Sequence, residues 1–428
     1  MPAIVIIGAQ WGDEGKGKIV DHLAERAAMV VRYQGGNNAG HTVVIGDTVL
    51  KLHQIPSGIT RPHVAAVLGN GMVINPPALV EELDILAAEG IPTENLHISP
   101  GAHVVMPYHL LLDRLEEDLR GAHALGTTRK GIGPCYTDKV ARRGLRVRDL
   151  VDPDRFAACT ELALERVNRE LTGVFGHPPL AVEEIVDAYV PAAQRIAPYV
   201  EDTGRLVHEA LERGETILME GAQATMLDID FGTYPYVTSS SPTAGGACQG
   251  SGVSPLAVRG VIGVVKAYTS RVGAGPFPTE LLDEMGDWLV ERGNEYGTTT
   301  GRRRRCGWID LVALRYAAQV NGFSGLALTR LDVLSGLEEI RLCVGYRLPD
   351  GTVTEHYPAD ADLLGRVEAV YETLPGWQGE ISTARRFEEL PRAAREYCTR
   401  VATLLRVPID LISVGAERND LIALRWPA

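Results

Sequence analysis

Residues 3–18 read AIVIIGAQWGDEGKGK: five consecutive apolar residues, then a stretch punctuated by Gly8, Gly12, Gly15 and Gly17. A short apolar run that ends at glycine reads as a strand buried on both faces. Such strands belong to parallel sheets covered by helices on either side. Gly12 to Lys18 satisfies the spacing G-x-x-x-x-G-K. In a loop of that kind, backbone N–H groups cradle a phosphate and pass it to a helix N-terminus. The chain departs from the pattern at Ile19, where a Ser or Thr hydroxyl would meet magnesium. It also places Asp13 and Glu14 inside the loop. A carboxylate there opposes anion binding unless a cation or a proton is involved. Asp13 can hold magnesium in place of the missing hydroxyl, or it can act as a general base.

Further strand-like runs fall at residues 28–33, 64–69, 216–220, 261–268 and 326–331. Helical patterns lie between several of them, at 19–26, 76–89 and 108–119, the second with Pro76 in its first turn and Gly90 just past its end. Strands alternating with helices predict an α/β fold with a mostly parallel central sheet and flanking helices. Residues 154–213 are helical throughout in pattern and read as a helical insertion. From about 333 to 428 a subregion containing β structure follows, with a meander at 339–356 turning at Pro349-Asp350-Gly351. No repeat or Gly/Ser linker divides the chain, so its 428 residues are expected to form one mixed domain.

With 45% hydrophobic and 23% charged residues, the chain can bury a core. A formal net charge of −13 argues against a nucleic-acid or membrane-surface binder, which needs a basic face. Small anions remain possible ligands, because a local arginine cluster can oppose the global field. Six scattered cysteines without a C-x-x-C pair read as reduced thiols. No apolar run reaches membrane-spanning length and the chain enters its first strand at once, so a cytoplasmic location is expected.

Three more segments carry candidate chemistry. In QGGNNAGHT (34–42), glycines flank the amides of Asn37 and Asn38 and the titratable His41, which is expected near a strand C-terminus, where open sheets bind ligands. In GTTTGRRRRCGW (297–308), four arginines among Thr and Gly read as a clamp for anionic groups. LTRLD (328–332) ends an apolar run with Asp332, a carboxylate able to accept from guanine's ring N–H and amino group. SVG (413–415) follows a further apolar stretch.

Six ordered strings carry a resemblance to one family, adenylosuccinate synthetase: GAQWGDEGKGK, GGNNAGHT, GTTRKGIGPCYTDKVARRGLR, EGAQATMLDIDFGTYPYVTSSSPTAGG, TTTGRRRRCGWIDL and LTRLDVLSG. The resemblance spans essentially the whole chain. It implies a P-loop-NTPase-like fold and a ligase that joins IMP to L-aspartate, consuming GTP with one Mg2+ per subunit, through 6-phosphoryl-IMP, at the first committed step of AMP biosynthesis. A GTP-driven regulatory switch and an inactive relative acting as a binding protein are the alternative readings.

The resemblance also implies roles for individual residues. Asp13 is the catalytic base and magnesium ligand, with the Gly40 carbonyl as second metal ligand, and His41 is the catalytic acid. GTP is met by Gly12, Asp13, Glu14, Gly15, Lys16, Gly17, Lys18, Gly40, His41, Thr42, Arg304, Arg330, Leu331, Asp332, Ser413, Val414 and Gly415. IMP is met by Asp13, Glu14, Gly15, Lys16, Asn38, Ala39, Gly40, His41, Thr128, Gln223, Thr238 and Arg302, and by Arg142 reaching across a homodimer interface. Aspartate is met by Thr298, Thr299, Thr300, Gly301, Arg302, Arg303 and Arg304. Arg330 stands where the family's usual string has lysine.

Overall fold

Alternate residues of the first strand go to opposite faces of a sheet, and here both faces are covered. Ile4 and Ile6 pack against Ile19, Val20 and Leu23 of the helix Lys16–Ala24. Ala3, Val5 and Ile7 pack on the other face with Val207 and Ala210 of the helix Thr203–Glu212. Each such aliphatic side chain, fully buried, contributes about 1.5–3 kcal/mol. The run is therefore continuously apolar because neither face meets water.

The computed structural model describes residues 3–46, 48–297 and 301–426. Its central sheet has nine strands in the order Leu421–Ala423, Ile409–Ser413, Gly325–Thr329, Val258–Lys266, Ala3–Gly8, Ile217–Glu220, Met29–Arg32, Ala65–Leu68 and Leu96–Ile98. Every neighbouring pair is parallel except the edge strand Leu421–Ala423, which runs antiparallel to Ile409–Ser413. This is the expected sheet, with three strands that the apolar runs did not single out: Leu96–Ile98, Ile409–Ser413 and Leu421–Ala423.

The run at 326–331 is corrected at its end. The strand stops at Thr329, Arg330 takes a left-handed backbone (φ 62°), and a short 3-10 turn covers Leu331–Leu334. The helix at 76–89 is observed as Pro76–Ala88, capped by Asn75, whose Oδ1 accepts from Ala78 N at 3.2 Å.

Helices Pro153–Gly173, Val182–Ile196 and Thr203–Glu212 occupy the region read as helical. The first two share a core with Leu79, Leu83 and Leu112 of the helices Pro76–Ala88 and Pro107–Arg120. On the other side, Glu339–Arg347 pairs antiparallel with Val353–Thr354 and Glu368–Pro375, so the β element runs well beyond residue 356. It packs with the helices Leu311–Asn321 and Arg392–Leu405 against the sheet.

Candidate functional site

Six parallel strands deliver their C-terminal ends to one side of the sheet: Gly8, Arg32, Glu220, Lys266, Thr329 and Ser413. Ligands of open α/β sheets bind at that edge. A cleft of about 940 Å³ opens there. Of the residues named from sequence, Gly12, Asp13, Gly15, Lys16, Gly17, Lys18, Asn38, Ala39, Gly40, His41, Thr42, Thr128, Gln223, Thr238, Gly301, Arg304, Arg330, Ser413 and Gly415 line it. Glu14, Arg142, Arg302, Arg303, Leu331, Asp332 and Val414 do not line it. Thr298, Thr299 and Thr300 lie outside the described residues.

The glycine loop has left-handed backbone at Gly12 (φ 95°), Asp13 (φ 60°) and Gly15 (φ 85°), and the helix begins at Lys16 with no side-chain cap. Its first N–H groups are thus left to an anion. Gly17 lies close under the hairpin that begins at His41: a Cβ there would sit 3.0 Å from His41 Cβ, a tight contact that would press on His41.

The two acids of the loop differ in role. Glu14 is wholly buried and braces the loop: it accepts from Gln10 N (3.1 Å) and Gly12 N (2.8 Å) and pairs with Lys16 Nζ at 2.7 Å. Asp13 keeps a partly exposed carboxylate in the cleft, with Oδ2 2.7 Å from Arg304 Nε.

Lys18 lines the cleft, but its ammonium is tied down by the chain itself. Its ammonium does not turn to the loop; it donates to Ser413 Oγ (2.9 Å), Gly415 O (2.8 Å) and Asp420 O (3.0 Å). Burial pulls its pKa down to about 8. It is the strut joining the phosphate loop to the 413–420 segment.

His41 does not end a strand, as expected, but begins the hairpin His41–Ile45 with Thr48–Leu52. Its Nδ1 is hydrogen-bonded to Glu220 Oε1. Glu220 also accepts from Ser57 N (2.9 Å) and Ser57 Oγ (2.7 Å), and Arg32 lies buried beside it. Burial lowers the pKa of His41, against the pull of Glu220. Burial acts to raise that of Glu220, but the charge and hydrogen bond of His41, then Arg32 and Ser57, outweigh it and leave it below the usual value. An ionised Glu220 accepts the Nδ1 proton, which leaves Nε2 as the nitrogen to serve the cleft.

Across the cleft, Asn38 Oδ1 accepts from Gln223 Nε2 at 3.2 Å. The loop carrying Thr128 is held from the helix Pro107–Arg120. Glu117 accepts from Leu125 N (3.1 Å), Gly126 N (2.9 Å) and Thr127 N (3.2 Å), and Asp113 accepts from Thr127 Oγ1 (2.8 Å) and Gly131 N (2.8 Å).

The four arginines do not all face one way. The chain is extended there, so alternate residues face opposite ways. Arg302 donates to Gly126 O (3.3 Å) at the mouth of the cleft. Arg304 points inward to Asp13, and to Glu295 at 2.6 Å. Arg303 turns out to Asp287, and Arg305 pairs with Glu280 and donates to the carbonyls of Gly273 (3.2 Å) and Gly275 (2.8 Å).

Beyond the phosphate loop, the Arg330 guanidinium is drawn inward, donating to Gly293 O. Two residues on, Asp332 has a buried Oδ1 with no hydrogen-bond partner among the described residues. Burial raises its pKa, against the pull of Arg330 and Lys18. A buried acceptor left unpaired costs about 1–3 kcal/mol, so a donor-bearing ligand gains by meeting it.

The comparisons with known proteins agree. A family model for adenylosuccinate synthetase matches residues 5–422. The chain belongs to the adenylosuccinate synthetase family. It is a carbon–nitrogen ligase that joins IMP and L-aspartate with consumption of GTP, in AMP biosynthesis. Similar relatives include adenylosuccinate synthetases of Carboxydothermus hydrogenoformans, 54% identical over 99% of each chain, and of Moorella thermoacetica, 53% identical over the full length of both. A fully ligated adenylosuccinate synthetase from Plasmodium falciparum superposes with TM-score 0.93 at 39% identity, covering 99% of this chain and 100% of that one. A cyanophage S-2L succinoaminodeoxyadenylate synthetase shares the fold, with TM-score 0.61 and 20% identity over 99% and 95% of the two chains.

Sequence reasoning assigned no role to Glu220, Glu295, Asp113, Glu117 or Lys266. Four lie in strands or helices that read as ordinary, and Glu295 lies just past the end of the helix Glu284–Gly293. The available signals were Glu220, a charge ending the run at 216–220, and Lys266, a charge inside the run at 261–268. A charge at the end of a buried strand needs a partner.

Proposed function

We propose that Asp13 and His41 carry the two proton-handling roles of this ligation. Asp13 takes the proton from N1 of IMP, and O6 attacks the γ-phosphorus of GTP, expelling GDP and forming 6-phosphoryl-IMP. The aspartate amine then adds at C6 and phosphate leaves with the C6–O bond, giving adenylosuccinate. His41, protonated on both ring nitrogens with its positive charge offset by Glu220 at Nδ1, donates from Nε2 to an oxygen of the transferring phosphoryl group. The supporting observation is that Asp13 and the Glu220-held His41 reach one cleft from loops after different strands. The test follows product absorbance with IMP, aspartate and GTP each omitted in turn. Scrambling of heavy oxygen from the β–γ bridge of GTP, dependent on IMP and independent of aspartate, tests the intermediate.

Magnesium fits this donor set. Among the described residues no group of three or more His, Cys, Asp or Glu forms a cage. Mg2+ is held instead by one or two protein oxygens plus substrate phosphates, and Asp13 with the Gly40 carbonyl supplies those. When bound, it neutralises charge on the phosphates. Guanine is assigned to the Asp332 side. ATP is therefore expected to support turnover roughly a hundredfold less well than GTP, because adenine leaves the carboxylate unpaired. Asp332→Asn should shift preference toward xanthosine triphosphate; kcat/KM for the three nucleotides decides it, and an unshifted preference means another group reads the base.

The reading includes a homodimer in which Arg142 serves its neighbour's IMP site, and a cytoplasmic location. Arg142 is exposed, in a left-handed turn (φ 62°) beside the exposed Val140, and does not line the cleft of its own chain. All six cysteines are free thiols, which suits a reducing compartment, and among the described residues no helix is long and apolar enough to cross a membrane. Mixing an Arg142→Leu chain with an Asp13→Asn chain is expected to restore part of the activity that each homodimer lacks. One site of the mixed dimer then carries neither change. Heterodimers without activity would place Arg142 outside the neighbour's site.

A further inference from the structure

Glu295 is fully buried at the neck of the segment read as the aspartate-binding loop. Its backbone carbonyl accepts from Arg304 N at 2.8 Å, and its carboxylate accepts from Arg304 Nη1 at 2.6 Å. It thus grips Arg304 twice. The same carboxylate takes Lys266 Nζ at 2.8 Å and the Tyr268 hydroxyl. The Arg330 guanidinium is anchored two residues away, on Gly293 O. Lys266 and Tyr268 are buried as completely as Glu295. Two cations and a phenol therefore meet one carboxylate in a site shielded from water, where charge-assisted hydrogen bonds are strong and geometrically demanding.

The residue held this way is the one of the four arginines that reaches Asp13. Arg304 has three rotatable bonds beyond Cβ, and nothing but its partners sets where its planar head lies. Glu295 takes Nη1, which leaves Nε against Asp13 at 2.7 Å. Lys266 ends the strand next to Ala3–Gly8, and Arg330 follows the strand next to that. The carboxylate is thereby referenced to the rigid sheet on one side and to the guanine-side segment on the other.

We propose that Glu295 is a positioning residue: it orients Arg304 for the substrate aspartate and ties that loop to Asp13 and to the segment carrying Arg330. This rests on the reading of Arg304 as an aspartate ligand given above. Glu295 touches no substrate in this account; it acts through Arg304.

Glu295→Gln tests it, with steady-state constants measured for all three substrates. The expected result is an aspartate KM raised about tenfold or more with a lowered kcat, while the KM for IMP stays within about threefold. That is the loss expected when a hydrogen bond between charged groups is removed from one substrate's side of the site. In the Arg304→Lys background, Glu295→Gln is expected to add little, because residues acting through one contact are not additive. If the fold losses multiply, or if a folded Glu295→Gln enzyme keeps the wild-type aspartate KM, the proposal is overturned. Should Glu295→Gln fail to fold, Glu295→Asp keeps the charge for Lys266 but draws back from Arg304. Its aspartate KM should then lie between wild type and Arg304→Lys, and a wild-type value overturns the proposal. Failure of the underlying reading looks different: Arg304→Lys alone would leave the aspartate KM at its wild-type value.

Discussion

Asp13→Asn is expected to reduce turnover by about a thousandfold or more, the scale of loss when one member of a catalytic unit is removed. The amide keeps the size of the side chain but cannot do what the proposed mechanism asks of Asp13, which is to take a proton from N1 of IMP and offer a charged oxygen to the metal. The fold should not notice. Asp13 sits partly exposed in the cleft, paired with one arginine, while the bracing of the loop falls to Glu14. Thermal unfolding within a few degrees of wild type, together with the loss of turnover at saturating IMP, GTP and aspartate, is the expected pair of results. Near wild-type turnover at saturation would remove Asp13 from the chemistry.

Glu220→Gln is expected to lower kcat by roughly a hundredfold to ten-thousandfold. The lower figure corresponds to one proton-transfer group and the upper to a histidine whose orienting carboxylate becomes an amide. In this protein Glu220 holds His41 at Nδ1 and is itself held by Ser57 and flanked by Arg32. The amide can still accept from Ser57, but it no longer offsets a charged ring. The effect should fall on kcat, with the KM for IMP and aspartate little moved. His41→Asn in the same background should then cost little more, since the two residues act as one unit. A kcat within threefold of wild type, in a protein that melts normally, would assign Glu220 to structure alone.

The Lys18 strut shows how far a motif carries. The spacing Gly12 to Lys18 located a glycine loop at the start of a helix, because backbone geometry there depends largely on local glycines. Both lysines line the cleft, and the spacing did not say what else holds each one. Lys16 is paired with Glu14, and Lys18 is spent on carbonyls near residue 415. These partners are four hundred residues away in sequence for one lysine and two for the other, so no local pattern separates the cases.

By itself, the sequence determined the covered parallel sheet, since a strand apolar at every position has no face to give to water. It also determined the glycine loop, the break in phosphate-loop spacing at Ile19, and the family to which the ordered motifs belong. Short strands at the sheet edge, Leu96–Ile98 and Leu421–Ala423, left too little pattern to be seen. Only the tertiary structure decided how the charges pair. Of the four arginines it left only Arg304 lining the cleft, with Arg303 and Arg305 turned to Asp287 and Glu280. It set Glu220 behind His41 from a strand 179 residues away, and it gathered Lys266, Tyr268, Arg304 and Glu295 into one buried cluster. A buried charge is tolerable only beside its partner, and that partner is chosen by where the strands end in space, which no spacing along the chain records.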